Sequence, residues 1–148
     1  MYSLLLVLHL LSMIAVIGTT FVVPVIRRFA TTAGQLRFAL GIATKLAMVT
    51  KVGGFVLIGS GVWLMILSEM GLSQVWLNAS ILLSLLIVVT LAGLIEPRIH
   101  KAMRIASESR EDKAPAELAR VLKSLVPFES AAQLLLVAVL LLMVVKPF

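Results

Sequence analysis

The chain has 148 residues, of which 61% are hydrophobic and 14% are charged, and its mean hydropathy is +1.12. This composition is typical of an integral membrane protein and excludes a soluble globular domain. The absence of cysteine excludes disulfide exchange, thiolate-bound iron–sulfur clusters and covalent c-type haem attachment. A net charge of +6 would suggest nucleic-acid binding in a soluble protein, but in this class we expect no nucleic-acid partner.

Four long apolar stretches predict four membrane-spanning helices. They cover about residues 4–26, 47–67, 75–95 and 128–145, and each is close to the ~20 residues that a spanning helix needs. Helices are expected because lipid offers the backbone no hydrogen-bond partner, and the sequence has no alternating barrel pattern. The sequence therefore predicts one all-α domain over residues 1–148, an integral membrane four-helix bundle.

The positions of the basic residues predict how this bundle is oriented. All but one of the thirteen Lys and Arg residues lie in the segments 27–51 and 98–123, and the remaining one is Lys146. Because segments rich in Lys and Arg stay in the cytoplasm, both termini are expected outside (N-out/C-out). We expect a multi-pass protein of a bacterial-type inner membrane, in contact with the lipid bilayer.

The first span contains His9, the one ionisable residue that lies well inside a predicted helix. It is about five residues from the outer end, which is about 7–8 Å at 1.5 Å per residue. Pro24, near the inner end, is expected to kink this helix or to end its regular part. Residues at helical spacing from the histidine form a stripe of small or soft side chains: Ser12, Met13, Val16 and Thr20.

An ionisable residue inside a span is a functional hypothesis by default, and three interpretations of His9 stay open: a hydrogen-bonded structural histidine, a haem or metal ligand, or a proton-transfer group. His100 lies just past the inner end of the third span, so most of a ~30 Å hydrocarbon core separates the two histidines. A second axial ligand would therefore be water, a residue of a partner chain or a methionine. Met65 and Met143 lie at about the right depth.

Small and polar residues mark the next two spans. The second span reads GGFVLIGSG, and Gly53, Leu57 and Gly61 share one face. Such glycines allow either tight helix–helix packing or the approach of a flat ligand, and both interpretations remain open. In the third span Asn78 lies at a depth comparable to His9, and we expect its amide to face the bundle interior.

The cytoplasmic segments carry their own helical signals. Thr31 or Thr32 is expected to cap an early, cytoplasmic extension of the second helix. Pro115 is expected to open a short amphipathic helix that lies at the interface and is attracted to anionic lipid. Its apolar face would consist of Leu118, Val121, Leu122 and Leu125. Glu96 and Glu129 both fall at inner boundaries, which argues against a proton-coupled antiporter, because such a protein needs a carboxylate within the membrane.

Two stretches of the chain resemble the four-helix membrane protoporphyrinogen oxidases of the HemJ type, and the broader CopD-like set that includes predicted integral membrane proteins of this length. The first stretch lies in the first span and consists of Leu8, His9, Gly18 and Pro24, followed by the basic end of that span. The second stretch is the terminal run 134–138 and 144–148, which ends Lys146-Pro147-Phe148. The resemblance implies that His9 ligates a b-type haem. It also implies a role in electron transfer or in the oxidation of a tetrapyrrole or lipophilic partner.

The chain departs from that family at two places that the resemblance would assign to substrate handling. The third span begins Trp-Leu-Asn-Ala-Ser at 76–80, where the family has a Trp-Leu-His-x-Lys-like start. The family's Asn-Glu-x-Pro becomes Glu-Ser-Ala-Ala at 129–132. A rival hypothesis is a non-catalytic membrane subunit without haem, which packs through its glycine-rich second helix into a homo-oligomer or a larger complex. The candidate cofactor-binding residues are His9, Met65, Met143, Asn78, Gly53 and Gly61, and His9 is also the candidate metal ligand.

Overall fold

The structure is a computed structural model that describes residues 1–69, 73–110, 113 and 115–146. Its helices are α1 (Tyr2–Phe29), α2 (Ala33–Leu67), α3 (Val75–Val88), α4 (Glu96–Glu108) and α5 (Ala116–Val145). A π-helical segment, Val89–Ile95, joins α3 to α4, so that residues 75–108 form one continuous helix. Within the described residues, four helices are thus long and apolar enough to cross a membrane. The predicted all-α membrane bundle is confirmed, and each predicted span lies within one of these helices; Pro147 and Phe148 of the terminal motif lie outside the described residues.

A capping box starts α2. The hydroxyl of Thr32 accepts a hydrogen bond from the backbone N–H of Gln35 (3.2 Å), and the Gln35 side chain accepts one from the N–H of Thr32 (3.3 Å). These two bonds satisfy donors that a helix start leaves without partners. Of the two threonines that the sequence offered, Thr32 is therefore the cap, and α2 begins well before its predicted span.

Pro97 explains the π-helical segment before α4. Proline has no N–H to donate to the carbonyl of Gly93, and its ring crowds that carbonyl, so the regular ladder is disturbed upstream. The Arg98 Nη1 donates to the carbonyl of Leu94 at 2.6 Å. The same guanidinium lies over the Phe128 ring, 4.4 Å from its centroid, and so ties this part of the helix to α5.

Two apolar clusters hold the bundle together. The cluster in the spanning region contains Val16, Ile87, Leu136 and Val139. The inner end of the bundle is the end at which α1 ends and α2 begins, and the outer end is opposite. The second cluster lies toward the inner end and is larger: Leu36, Leu40, Ala43, Ile95, Ile99, Ala102, Ala106, Leu118, Val121, Leu125 and Ala132. It is built by the early turns of α2 and α5 together with α4. The helices thus continue beyond the predicted spans and bury a common core there.

This second cluster corrects the expectation for the segment after Pro115. The segment is helical and amphipathic, but it forms the first turns of the continuous helix α5. Its apolar face is covered, since Leu118 is 1% and Leu125 is 0% exposed. An interfacial helix on lipid was therefore the wrong interpretation, because α2 and α4 extend far enough to cover this face.

Large apolar side chains cover the outside of the spanning helices. Leu4 on α1, Phe55 on α2 and Leu134 on α5 are all more than 70% exposed. Water would disfavour such a surface, whereas hydrocarbon chains solvate it. The exterior therefore indicates contact with the lipid bilayer.

Candidate functional site at the interface of α1 and α2

His9 lies between α1 and α2 and forms a hydrogen bond with Ser60. Its Nδ1 is 3.0 Å from the Ser60 Oγ. That Oγ also lies 2.6 Å from the carbonyl oxygen of Val56 and 3.1 Å from that of Leu57. A hydroxyl has a single proton. When that proton is shared with the α2 carbonyls, Ser60 accepts a hydrogen bond from His9, and in that tautomer the neutral imidazole carries its proton on Nδ1 and keeps a lone pair on Nε2.

Gly61 makes room for this imidazole. A Cβ at that position would lie 3.1 Å from the Cε1 of His9 and 3.6 Å from its Nδ1. Gly53, two turns earlier on α2, likewise makes room for α1. A Cβ added there would lie 3.3 Å from the Val16 side chain and 3.6 Å from the Ser12 carbonyl. Side chains and backbone of α1 fill the space that both glycines provide. Tight helix packing thus accounts for these two glycines.

A second polar contact joins the two helices in the same register. The hydroxyls of Thr19 and Thr50 are 2.6 Å apart. The residue numbers of this pair and of His9–Ser60 add to the same total, as expected for an antiparallel hairpin. The predicted stripe on α1 does face inward, because Ser12, Val16 and Thr20 are buried and Met13 is half-buried. Sequence reasoning missed Thr19, Thr50 and Ser60. Once His9 is placed beside Gly61, the antiparallel register brings Ser60 to His9 and Thr50 to Thr19.

The remaining candidate residues lie on three different helices. Met65 is half-buried on α2, one turn beyond Gly61. Met143 on α5 packs against the apolar cluster that contains Leu136 and Val139. Asn78 is exposed on α3, so the expectation that its amide faces the interior was wrong.

The rotation of α3 explains the position of Asn78. Trp76 and Ser80 are the buried residues in this part of α3, with exposures of 6% and 0%. Each is two residues from Asn78, which is about 200° around a helix. The Ser80 hydroxyl donates to the Trp76 carbonyl at 2.8 Å. Asn78 thus lies on the exposed side of α3, and the Ser80 hydroxyl is used within its own helix.

A buried ion pair, which sequence reasoning also missed, joins the inner end of α1 to α5. The Nη1 and Nη2 of Arg27 donate to the two carboxylate oxygens of Glu129 at 2.5 and 2.6 Å. Arg27 is 8% and Glu129 is 5% exposed. This parallel arrangement is the strongest geometry for such a pair. The sequence placed both residues at the inner boundary but gave no sign that they meet.

A polar contact lies one turn deeper in the same interface. Pro24 has no N–H, so the Thr20 carbonyl lacks its usual helical donor. The Gln133 Nε2 on α5 donates to that carbonyl at 3.4 Å. Gln133 follows Glu129 by four residues, so both lie on one face of α5. The signal in the sequence was the spacing of Thr20, Pro24 and Arg27 along one face of α1.

His100 has partners of its own at the inner side. Its Nε2 is 3.4 Å from Glu96 Oε1, and that oxygen is 2.5 Å from the Lys51 Nζ. This group joins α2 to α4 and does not include His9. In the described ranges, no three His, Cys, Asp or Glu residues come together as a metal site.

The fold and these contacts define a multi-pass α-helical membrane protein, in which polar contacts within the spanning region tie α1 to its neighbours. More specifically, the chain belongs to a family of predicted integral membrane proteins, DUF2269, which matches residues 3–147. No curated protein and no solved structure matches the chain.

Proposed function

We propose that this protein binds a b-type haem near its outer side, with His9 as the axial ligand that the chain supplies. The observation that carries the proposal is the hydrogen bond between His9 and Ser60, because in the tautomer with the proton on Nδ1 it leaves the Nε2 lone pair available. Histidines that bind metals usually donate their other N–H to an acceptor in this way. The resemblance of the first span to the HemJ type favours the same role.

The residues fit one axial ligand. Gly61 makes room for the imidazole, and Ser60 holds its Nδ1. Met65 on α2 and Met143 on α5 are the methionines that would supply a second ligand to such a haem. When bound, a haem of this kind supplies one-electron transfer. The chain's own contribution is to hold the imidazole against Ser60 and Gly61 of α2.

Electron transfer is favoured over the oxidation of a porphyrinogen or another substrate. Chemistry on a substrate needs polar groups directed at it, and the chain uses its polar groups elsewhere. Glu129 is paired with Arg27, the Ser80 hydroxyl is bonded within α3, and Asn78 is exposed.

The visible absorption spectrum of protein purified from haem-replete cells tests this proposal. We expect a Soret band that His9→Ala abolishes and His100→Ala leaves unchanged, since His100 lies with Glu96 at the inner side. The absence of a Soret band, or a band that persists in His9→Ala, would contradict haem binding through this residue.

The rival function, a non-catalytic subunit of a larger membrane complex, is favoured by a different observation. Gly59 is exposed on α2, and a Cβ there would meet no heavy atom within 4 Å. An open glycine on a lipid-facing helix allows another helix to approach closely. Under this proposal Gly59→Leu lowers the native mass of the protein in mild detergent, and the wild-type protein shows no Soret band. A monomeric wild-type protein would exclude it.

The proposal also includes the orientation with both termini outside a bacterial-type inner membrane. It depends on the clustering of Lys and Arg in the segments 27–51 and 98–123. A reporter enzyme fused after Phe148 should be active in the outer compartment. Activity in the cytoplasm would reverse the orientation.

A further inference from the structure

An open cleft of about 300 Å³ lies at the inner end of the bundle. It is formed by the end of α1, the start of α2 and the early turns of α5. Its lining combines cations with apolar side chains: Arg27, Arg28, Lys123, Leu36, Leu122 and Val126. The ion pair of Arg27 and Glu129 holds α1 and α5 together beside this cleft. None of the contacts of His9 involves the cleft.

Two of the three cations in the cleft carry uncompensated charge. Arg27 is buried and neutralised by Glu129. Arg28 and Lys123 are exposed, and no acidic residue forms an ion pair with either of them in the part of the chain that the structure describes. The cleft therefore offers two positive charges above a neutral buried pair, which suits an anionic group.

The apolar lining indicates which kind of anion suits the cleft. Leu122 is half-buried and Val126 is 40% exposed on the cleft side of α5. On α1, the exposed residues Val25 and Phe29 flank the arginines in sequence. A small soluble anion gains nothing from such side chains, whereas a lipid places hydrocarbon directly beside its charged headgroup.

We propose that this cleft binds the phosphate headgroup of an anionic phospholipid; its place in the cytoplasmic leaflet rests on the orientation proposed above. Arg28 and Lys123 contact the phosphate, and Leu122 and Val126 contact the first part of the acyl chains. Basic pockets between helices at the cytoplasmic side of a membrane are suited to such headgroups. The site is independent of haem binding, because it shares no residue with the surroundings of His9.

Lipid retention by the full-length protein tests the proposal. The protein is equilibrated in mixed micelles with phosphatidylglycerol or phosphatidylcholine, and bound lipid is counted by native mass spectrometry. We expect selective retention of one phosphatidylglycerol, and a drop of about tenfold in its affinity in the double variant Arg28→Gln/Lys123→Gln. The matched control is Arg37→Gln/Arg104→Gln, which removes the same charge from exposed positions that do not line the cleft. Both double variants should keep the wild-type helical circular dichroism.

Three outcomes would overturn the proposal. Equal losses in the two double variants would show a general charge effect and no site. Equal retention of phosphatidylcholine and phosphatidylglycerol would remove the role of the headgroup charge. Displacement of the lipid by millimolar inorganic phosphate would assign the cleft to a soluble phosphate. The charge-conserving double variant Arg28→Lys/Lys123→Arg, in contrast, should retain phosphatidylglycerol.

Discussion

The outer and inner parts of α1 are held by different chemistry. Toward the outer side, α1 is bound to α2 by neutral hydrogen bonds, His9–Ser60 and Thr19–Thr50. At the inner end it is bound to α5 by the ion pair of Arg27 and Glu129. The cost of a charge rises steeply with depth in the membrane, whereas hydroxyls and a neutral imidazole can be accommodated there. The type of polar contact along α1 thus follows the depth at which it lies.

The largest expected effect comes from removing one partner of the inner ion pair. Glu129→Gln leaves the buried Arg27 charge without a counter-charge, and we expect a loss of about 3–5 kcal/mol in unfolding free energy. The measurement is reversible unfolding in mixed micelles. Arg28→Gln, which changes the exposed neighbouring cation, should cost no more than about 0.5 kcal/mol. Equal losses in the two variants would mean that the pair does not hold the inner end.

Replacing both members of the pair sharpens this prediction. Arg27→Leu/Glu129→Leu removes the two charges together, so most of the stability lost in Glu129→Gln should return. Unfolding in the same micelles checks this outcome. A double variant that is no more stable than Glu129→Gln would show that packing, and not the unpaired charge, dominates the loss.

The next effect tests how closely α1 and α2 approach each other at His9. Gly61→Ala places a Cβ 3.1 Å from the imidazole of His9, and we expect a loss of about 1–3 kcal/mol from overpacking. Gly59→Ala is the matched control on the same helix, because its Cβ meets open space. The control should be neutral or stabilise the protein by up to about 1 kcal/mol, since alanine favours helix. Similar stability of the two alanine variants would contradict the packing at Gly61.

A smaller coupling is expected between the two threonines. A double-mutant cycle of Thr19→Val and Thr50→Val should give a coupling of about 0.6 kcal/mol, the average for such bonds in membranes. Unfolding of the wild type, the two single variants and the double variant in one detergent measures it. A coupling of zero would mean that the 2.6 Å contact contributes nothing beyond packing.

The smallest effect concerns Gln133. Gln133→Leu removes the donor to the Thr20 carbonyl, and at 3.4 Å we expect a cost of about 0.5 kcal/mol. In a Pro24→Ala background the same change should cost nothing, because alanine supplies the missing helical N–H. A cost that is unchanged in that background would show that Gln133 acts through some other contact.

The sequence predicted those features that depend on one helix at a time. The four apolar stretches, the capping threonine and the stripe of small or soft side chains around Val16 each follow from local spacing. Features that depend on which helices are neighbours were not predicted. The pairing of Arg27 with Glu129 requires that α5 lies beside α1, and the burial of Leu118 requires that α2 and α4 extend inward.

Asn78 illustrates a third limit of the sequence. Polarity predicts that an amide turns inward, but in this part of α3 the buried residues are Trp76 and Ser80, and Asn78 lies on the other side of the helix. The candidate site was predicted in part for the same reason. His9 and Gly61 stood out by residue type, whereas Ser60 became visible only through the register of the hairpin.

The π-helical segment Val89–Ile95 lets one helix carry an extra residue without turning its buried side away. Before the segment the buried positions are Trp76, Ser80 and Ile87, and from its last residue onward they are Ile95, Ile99, Ala102 and Ala106. Projected on a regular helix, the second set is advanced by roughly one residue, or about 100°. The wider turns absorb this offset, so the membrane half and the inner half of the helix keep a common buried side although their sequence patterns are out of phase.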